Sequence, residues 1–412
     1  MQHDRGNNCR RRPVTRGGAW GLLGGLVLGA PAAWADVTPY VTAKTTRESN
    51  LFRLSDRADA ASLIGRSERS DSYTRTEAGI KARAQVSRQI FDLDANAYRA
   101  DFQRFDFLDH NGGAAGGMWN WVVGNDWEGN LGYRYDRTLS SFEIQNAAQA
   151  GRNVRRQKTG VGSARYRITP RWRTHVGAED ARVRHDLASQ RHLDYQGKAG
   201  EVGLQYVTPA ETAVGVRARQ LNGDYLRTQT VGGTPVNNDF RETEGGLTLD
   251  WRAGGRTRLH GNLSRTRRTH EQLAARDFTG TTARAAVDWT YSEKTRLNAA
   301  VWRELTAADD LSAGYVVSNG VSVTPSWAAT AKLRLDATAS YVERDYRGDP
   351  NVALGTTGQR SDTVRGLRIA LNYLPWQKVS LGLGVGTEDR TSTQALADYD
   401  NRIVDASLRV EF

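Results

Sequence analysis

The chain has 412 residues, 38% hydrophobic and 25% charged, with 42 Gly, 9 Pro, 1 Cys and a formal net charge of +11. A mean hydropathy of −0.62, with no apolar run beyond residue 35 near the roughly 18–20 residues of a spanning helix, excludes a helical membrane protein. Aromatic residues spread along the whole length argue against disorder, which leaves a fold whose polar half faces water on the inside.

The N-terminus carries an export signal. Arg5, Arg10, Arg11, Arg12 and Arg16 form a basic region, Ala19 to Ala30 an apolar stretch, and Ala33-Trp34-Ala35 a small-x-small cleavage site. Residues 1–35 are expected to be a cleaved signal peptide and residues 36–412 the mature domain. Cys9 lies within the leader, so burial and backbone hydrogen bonding must stabilise the mature chain without disulfides. In an exported protein the basic surplus points to acidic glycans or lipopolysaccharide as polyanionic partners, rather than to nucleic acid.

Beyond the leader the pattern has period two. Ile80, Ala82, Ala84 and Val86 alternate with Lys81, Arg83 and Gln85. Leu297, Ala299 and Val301 alternate with Arg296 and Asn298; Leu333, Leu335, Ala337 and Ala339 with Lys332, Arg334, Asp336 and Thr338; Leu367, Ile369, Leu371 and Tyr373 with Arg368 and Asn372. Each segment is a strand with one apolar and one charged face. The segments run about 10–16 residues, long enough for a tilted strand to cross a bilayer.

Short turns fall at Arg88-Gln89, Gly124-Asn125, Thr169-Pro170, Thr208-Pro209-Ala210, Ala253-Gly254-Gly255, Ser292-Glu293, Ala329-Thr330 and Pro375-Trp376. Longer polar links lie between them, at 56–70, 143–152, 224–238 and 347–360. Such alternation predicts an all-β fold: a transmembrane antiparallel up-and-down β-barrel with short periplasmic turns and long outer loops. The count is about eighteen strands, with sixteen also compatible, and the location is the Gram-negative bacterial outer membrane. A propeller would also repeat every 36–46 residues, but it would bury both faces of each sheet and leave no continuous charged face.

Trp121, Trp127, Trp172, Trp251, Trp289, Trp327 and Trp376 all lie within a few residues of a short turn. They are expected to form an aromatic girdle at one membrane interface. Val404, Ala406, Leu408, Val410 and Phe412 make an alternating last strand ending on an aromatic. In Leu408, Val410 and Phe412 it is similar to the signal read by the outer-membrane assembly machinery.

Several segments together resemble the outer-membrane barrels of exopolysaccharide operons. These are Pro39-Tyr40, Ser49-Asn50-Leu51-Phe52-Arg53-Leu54, Gly124-Asn125-Asp126-Trp127, Leu139-Ser140-Ser141-Phe142, Thr169-Pro170-Arg171-Trp172, Arg276-Asp277-Phe278, Ala331-Lys332-Leu333, Arg344-Asp345-Tyr346 and the terminal strand. The family is the EpsL type, associated with the exosortase and PEP-CTERM system, within the broader β-barrel porin families. The resemblance implies a role in exopolysaccharide biosynthesis or export, with periplasmic and inner-membrane secretion proteins as partners. It brings no catalytic residues.

The sequence offers no catalytic, metal or cofactor site. None of its histidines pairs with Cys or makes a His-x-x-x-His cluster; His185, Asp186 and His192 read as loop residues. A lipid-modifying barrel enzyme, the third functional class considered, would need a His and Ser on the lipid face, and no outward register supplies that pair. What remains is the lumen. Parity sends Lys81, Arg83, Arg165, Arg167, Arg217, Arg219, Arg258, Lys332, Arg334 and Arg368 inward, together with Glu242, Glu244, Asp250, Asp288 and Asp336. They would either cross-brace the wall or line a water-filled channel selective for anionic glycan, because the Arg fork suits carboxylates. Polysaccharide export is the first expectation, and a general or oligosaccharide-uptake porin the alternative.

Overall fold

A computed structural model describes residues 34–142, 151–231, 234–307, 315–348 and 358–412. In chain order the strands are β1 (Trp34–Glu48), β2 (Asp71–Val86), β3 (Gln89–Phe102), β4 (His110–Val123), β5 (Trp127–Leu139), β6 (Val154–Arg167) and β7 (Trp172–His185). Then come β8 (Tyr195–Val207), β9 (Ala213–Tyr225), β10 (Gln229–Val231), β11 (Thr234–Val236), β12 (Phe240–Ala253) and β13 (Thr257–His270). The last seven are β14 (Phe278–Thr290), β15 (Thr295–Ala307), β16 (Tyr315–Ala328), β17 (Leu333–Arg347), β18 (Ser361–Trp376), β19 (Val379–Ser392) and β20 (Tyr399–Glu411).

Eighteen of these strands form one antiparallel sheet of sequential neighbours, closed on itself. The exceptions are β10 and β11, a small hairpin within the β9–β12 loop. Closure is made by β1 and β20, paired from Tyr40↔Glu411 to Glu48↔Ile403; the Phe412 amide adds a bond to the Pro39 carbonyl at 2.9 Å. A closed sheet satisfies every backbone group and leaves no edge, the condition for a β-structure in hydrocarbon. At about 3.3 Å per residue and a tilt near 45°, a 13-residue strand rises about 30 Å, one bilayer core.

Eight short connections lie at one rim, and the longer connections lie at the other together with the link between β9 and β12. Turn boundaries differ slightly from those expected. Gln89 already opens β3, and Trp376 closes β18, so those two turns are centred on residues 87–88 and 377–378. Pro375 has no N–H to give the ladder, and the β18–β19 register shifts between Tyr373 and Trp376. The β1 strand starts at Trp34, two residues before the expected mature terminus.

The outer face is apolar around the whole circumference. Leu93, Leu131, Val176, Val216, Leu247, Val301, Leu383 and Val404 are each more than half exposed. A soluble monomer rarely shows an apolar patch above a few hundred Å². A continuous belt of this kind on a closed barrel is a lipid-facing surface, and it places the protein in the outer membrane.

Candidate channel lining

The same alternation that turns the apolar residues outward puts charges on the inner face, where most are paired. Arg165 meets Glu128 at 2.7 Å, Arg258 meets Asp250 at 2.7 Å, and Arg334 meets Asp336 at 2.8 Å. Asp288 accepts from Asn298 at 2.7 Å, and Arg83 lies 3.5 Å from Asp92. Arg167 ends β6 opposite Arg173. Lys81 lines a cavity of about 630 Å³ with Asp36, Asp94 and Arg409. Lys332 departs from expectation: it sits in the β16–β17 turn, not on a strand, and its Nζ donates to the Pro375 carbonyl at 3.0 Å. Two residues of boundary shift suffice to move a side chain from wall to rim.

A connected group surrounds Arg217. Its guanidinium bonds Glu201 on β8 at 3.2 Å and Glu244 on β12 at 3.0 Å. Glu201 also holds His175 at 3.1 Å, and Arg219 reaches Glu179 on β7 at 3.4 Å. A cavity of about 550 Å³ lies here, lined by Arg165, His175, Glu201 and Arg217 among others. Deeper toward the loops, Glu242 and Arg268 form a nearly buried pair at 2.7 Å, with the Arg268 guanidinium over the Phe240 ring.

Some braces skip a strand, and a glycine on the skipped strand makes room. Arg134 of β5 reaches Asp94 of β3 across Gly116 of β4 at 3.2 Å; a Cβ on Gly116 would crowd both groups. Arg368 of β18 reaches Asp405 of β20 at 2.5 Å across Gly384 of β19, where a Cβ would collide with both side chains. Lys44 of β1 holds the same Asp405 at 3.2 Å.

The mouth at the loop end is partly filled from within. After β1 the chain turns into the barrel, and Leu51, Phe52, Leu54, Phe105, Leu108 and Phe142 form a buried cluster with the inward-facing Tyr98, Ala100 and Phe102. Phe52 contacts Phe105 and Phe142 with ring centroids 4.7 and 4.6 Å apart. On its other side Arg53, at φ 54° in the left-handed region, bonds Glu48 and approaches Glu388 of β19 at 3.6 Å. Asn401 of β20 accepts from the Asn50 amide at 2.9 Å and donates to Glu48 at 2.9 Å. The segment therefore lies inside the mouth along one side of the barrel, from β19 through β1 to the β5–β6 loop, and helix α1 (Ala60–Ile64), capped by Asp59, follows it.

A titratable latch secures this segment. Asp398, in the β19–β20 loop, accepts from Ser55 and from Arg57, both at 3.0 Å. Burial pulls its carboxyl upward, but the bonds from Ser55 and Arg57 outweigh this and hold it below its ordinary value. A depressed carboxylate pKa makes a contribution that is complete above the ordinary value and lost as pH falls through the depressed one. Acidifying the loop side below the ordinary Asp range, or Asp398→Asn at neutral pH, should therefore increase current fluctuations in a planar bilayer. Traces identical to those of the neutral wild type would show that the latch holds nothing.

At the other rim Trp127, Trp172, Trp251, Trp289, Trp327 and Trp376 stand on the outer face, exposed by 40% or more. Trp127 lies on Tyr166 and Trp172 on Tyr206, with centroids 4.6 and 5.3 Å apart. Trp121 is less exposed because its ring folds over Gly129. Leu408 and Phe412 are on the outer face too, and Val410 joins β1 to β19 through Val41 and Val379. Among the described residues no three metal-ligating side chains converge; His185 instead bonds Asp194 at 3.3 Å.

Residues 264–412 match a family model described as "Putative beta-barrel porin 2". No curated protein matches the chain. Among solved structures the chain is similar to the outer membrane protein OpdK of Pseudomonas aeruginosa, at 11% identity and a TM-score of 0.48, over 92% of this chain and 99% of that one. OccK2 (OpdF) of the same organism, in complex with glucuronate, matches at 12% identity and 0.47, over 92% and 98%. A BenF-like porin from Pseudomonas fluorescens Pf-5 matches at 10% and 0.48, over 92% and 99%.

Proposed function

We propose that this porin-like outer-membrane barrel is a selective diffusion channel taking up small hydrophilic solutes, oligosaccharides among them. The observation that carries this reading is the segment after β1, folded into the mouth and fastened to the wall on either side of β1. An eighteen-stranded barrel is wide enough for water, and a fixed obstruction at its mouth passes small solutes while excluding a bulky polymer. Export of an exopolysaccharide, which the family resemblance implies, would require the segment to leave the mouth. The paired charges suit diffusion, since braced side chains keep the wall polar without binding a solute permanently.

Planar-bilayer recording of the purified protein tests this. Wild type should give a small, steady, water-filled conductance with weak charge selectivity, because Arg217 is compensated by Glu201 and Glu244. Replacing both by Gln should uncover Arg217 and move the reversal potential toward anions, an effect that fades in 1 M salt where the Debye length is about 3 Å. A barrel that passes no ions, even with residues 50–64 excised, would be a scaffold and not a conduit.

A further inference from the structure

Eight tryptophans with described side chains lie on the outer face, where lipid or the interface accounts for them. Trp302 does not: it alternates with the outward Val301 on β15 and faces the lumen. Register sets it opposite Arg284 of β14 and Gly320 of β16. Its indole lies across β16 in the space that a side chain at Gly320 would fill, and a Cβ there would collide with the ring. The Arg284 guanidinium is 5.6 Å from the ring centroid and donates to Glu304 at 2.9 Å. Among the described residues Trp302 belongs to no buried apolar cluster. It is an aromatic plate laid on the wall of a wet channel, with a fixed donor and acceptor at its edge.

We propose that Trp302 is a stacking platform for a pyranose ring of a neutral oligosaccharide moving through the lumen, a proposal that rests on the channel reading above. Sugar C–H groups are weakly positive and prefer the negative face of an aromatic ring. Sugar hydroxyls both donate and accept, and Arg284 and Glu304 offer one partner of each kind. The adjoining cavity, about 250 Å³, is lined by Arg217, Arg219, Arg284 and Arg303 with Glu242, Glu244 and Glu304. Arg303 spends its donors on the Thr281 carbonyl and on Asn319, which leaves three guanidinium groups against three carboxylates. That balance favours uncharged hydroxyls over an anion. The volume is below the roughly 300–1,000 Å³ of drug-sized pockets and fits a single ring.

The test uses the full-length barrel in planar bilayers with maltotriose, trigalacturonate and benzoate as probes. Maltotriose should block the current transiently. Trp302→Ala should weaken the block at least about tenfold, equivalent to about 1.4 kcal/mol, while Trp302→Phe retains most of it. Equal block in wild type and Trp302→Ala, or block by trigalacturonate or benzoate but not maltotriose, overturns the proposal. If the wild type conducts nothing, the channel reading fails separately, and equilibrium dialysis of labelled maltotriose against the detergent-solubilised barrel reads the platform instead. Binding lost on Trp302→Ala supports it; no difference, or no binding, overturns it. Should Trp302→Ala lose its heat-modifiable folded form, Gly320→Ala, which displaces the ring while keeping it, should show the same loss.

Discussion

Excising residues 50–64 and joining β1 to β2 with a short Gly-Ser linker should raise the unitary conductance several-fold. The segment removes three large apolar side chains, Leu51, Phe52 and Leu54, together with α1 from the inner mouth. Access resistance at a constriction dominates a short pore, so clearing it has a greater effect than any change along the wall. The barrel should survive the excision, because its ladder passes from β1 directly to β20 and β2 without this segment. Phe105, Leu108 and Phe142 would then lose their partner, and Phe52→Asp tests the same point with one substitution, since an unpaired buried carboxylate is strongly disfavoured. An unchanged conductance in both variants would mean that the segment leaves the permeation path clear.

The second large effect lies on the outer face. Leu383, 59% exposed and opposite Leu371 and Ala406, is the central one of the outward apolar residues of β19, between Leu381 and Val385. Leu383→Arg should destabilise the inserted barrel by about 2–4 kcal/mol, the cost of a basic side chain on the lipid face at the bilayer midplane. It would be read as lost heat-modifiable band in outer-membrane fractions and as a lower urea midpoint in lipid vesicles. Leu408→Asp, nearer the interface on β20, should cost less. Wild-type midpoints for Leu383→Arg would require this face to be turned away from lipid.

Period-two alternation made the strand count, the closed barrel and the apolar face legible, because one-residue register errors would invert an entire strand. It assigned a face to each residue and no height along the axis. The partners of the basic wall were missed for that reason. Asp92 and Glu128 stand directly opposite Arg83 and Arg165 on the neighbouring strand, and Glu201 meets Arg217 on a diagonal. Asp94, Glu179 and Asp405 reach their bases across a skipped strand through the stagger of the tilted wall. Lys332 was lost to an uncertain strand end. Trp302 carried a readable signal, since Val301 was already assigned outward and its neighbour had to face in. The segment after β1 carried another: Leu51-Phe52-Arg53-Leu54 is too apolar for an outer loop in water, and its density needed a partner. Which loops supplied that partner, through Phe105 and Phe142, depended on the closed barrel bringing distant connections together.

The seam between β1 and β20 has a kinetic consequence. It joins the two ends of the barrel through nine residue pairs, whereas β1 and β2 share fifteen. Every other barrel pairing joins strands consecutive around the sheet and separated by one connection, so each can zip up locally as a hairpin. The seam can form only after the last strand exists, and it must close a loop of more than 350 residues, with an entropic cost that grows logarithmically with length. Until then two long strands, each with one apolar face, present unpaired edges, a template for mispairing between chains. Closure is therefore the late, vulnerable step of this barrel's formation. Weakening Tyr40, whose hydroxyl bonds Glu77 at 2.9 Å beside the seam and whose ring lies under the Arg409 guanidinium at 3.7 Å, would act on closure speed more than on the finished wall.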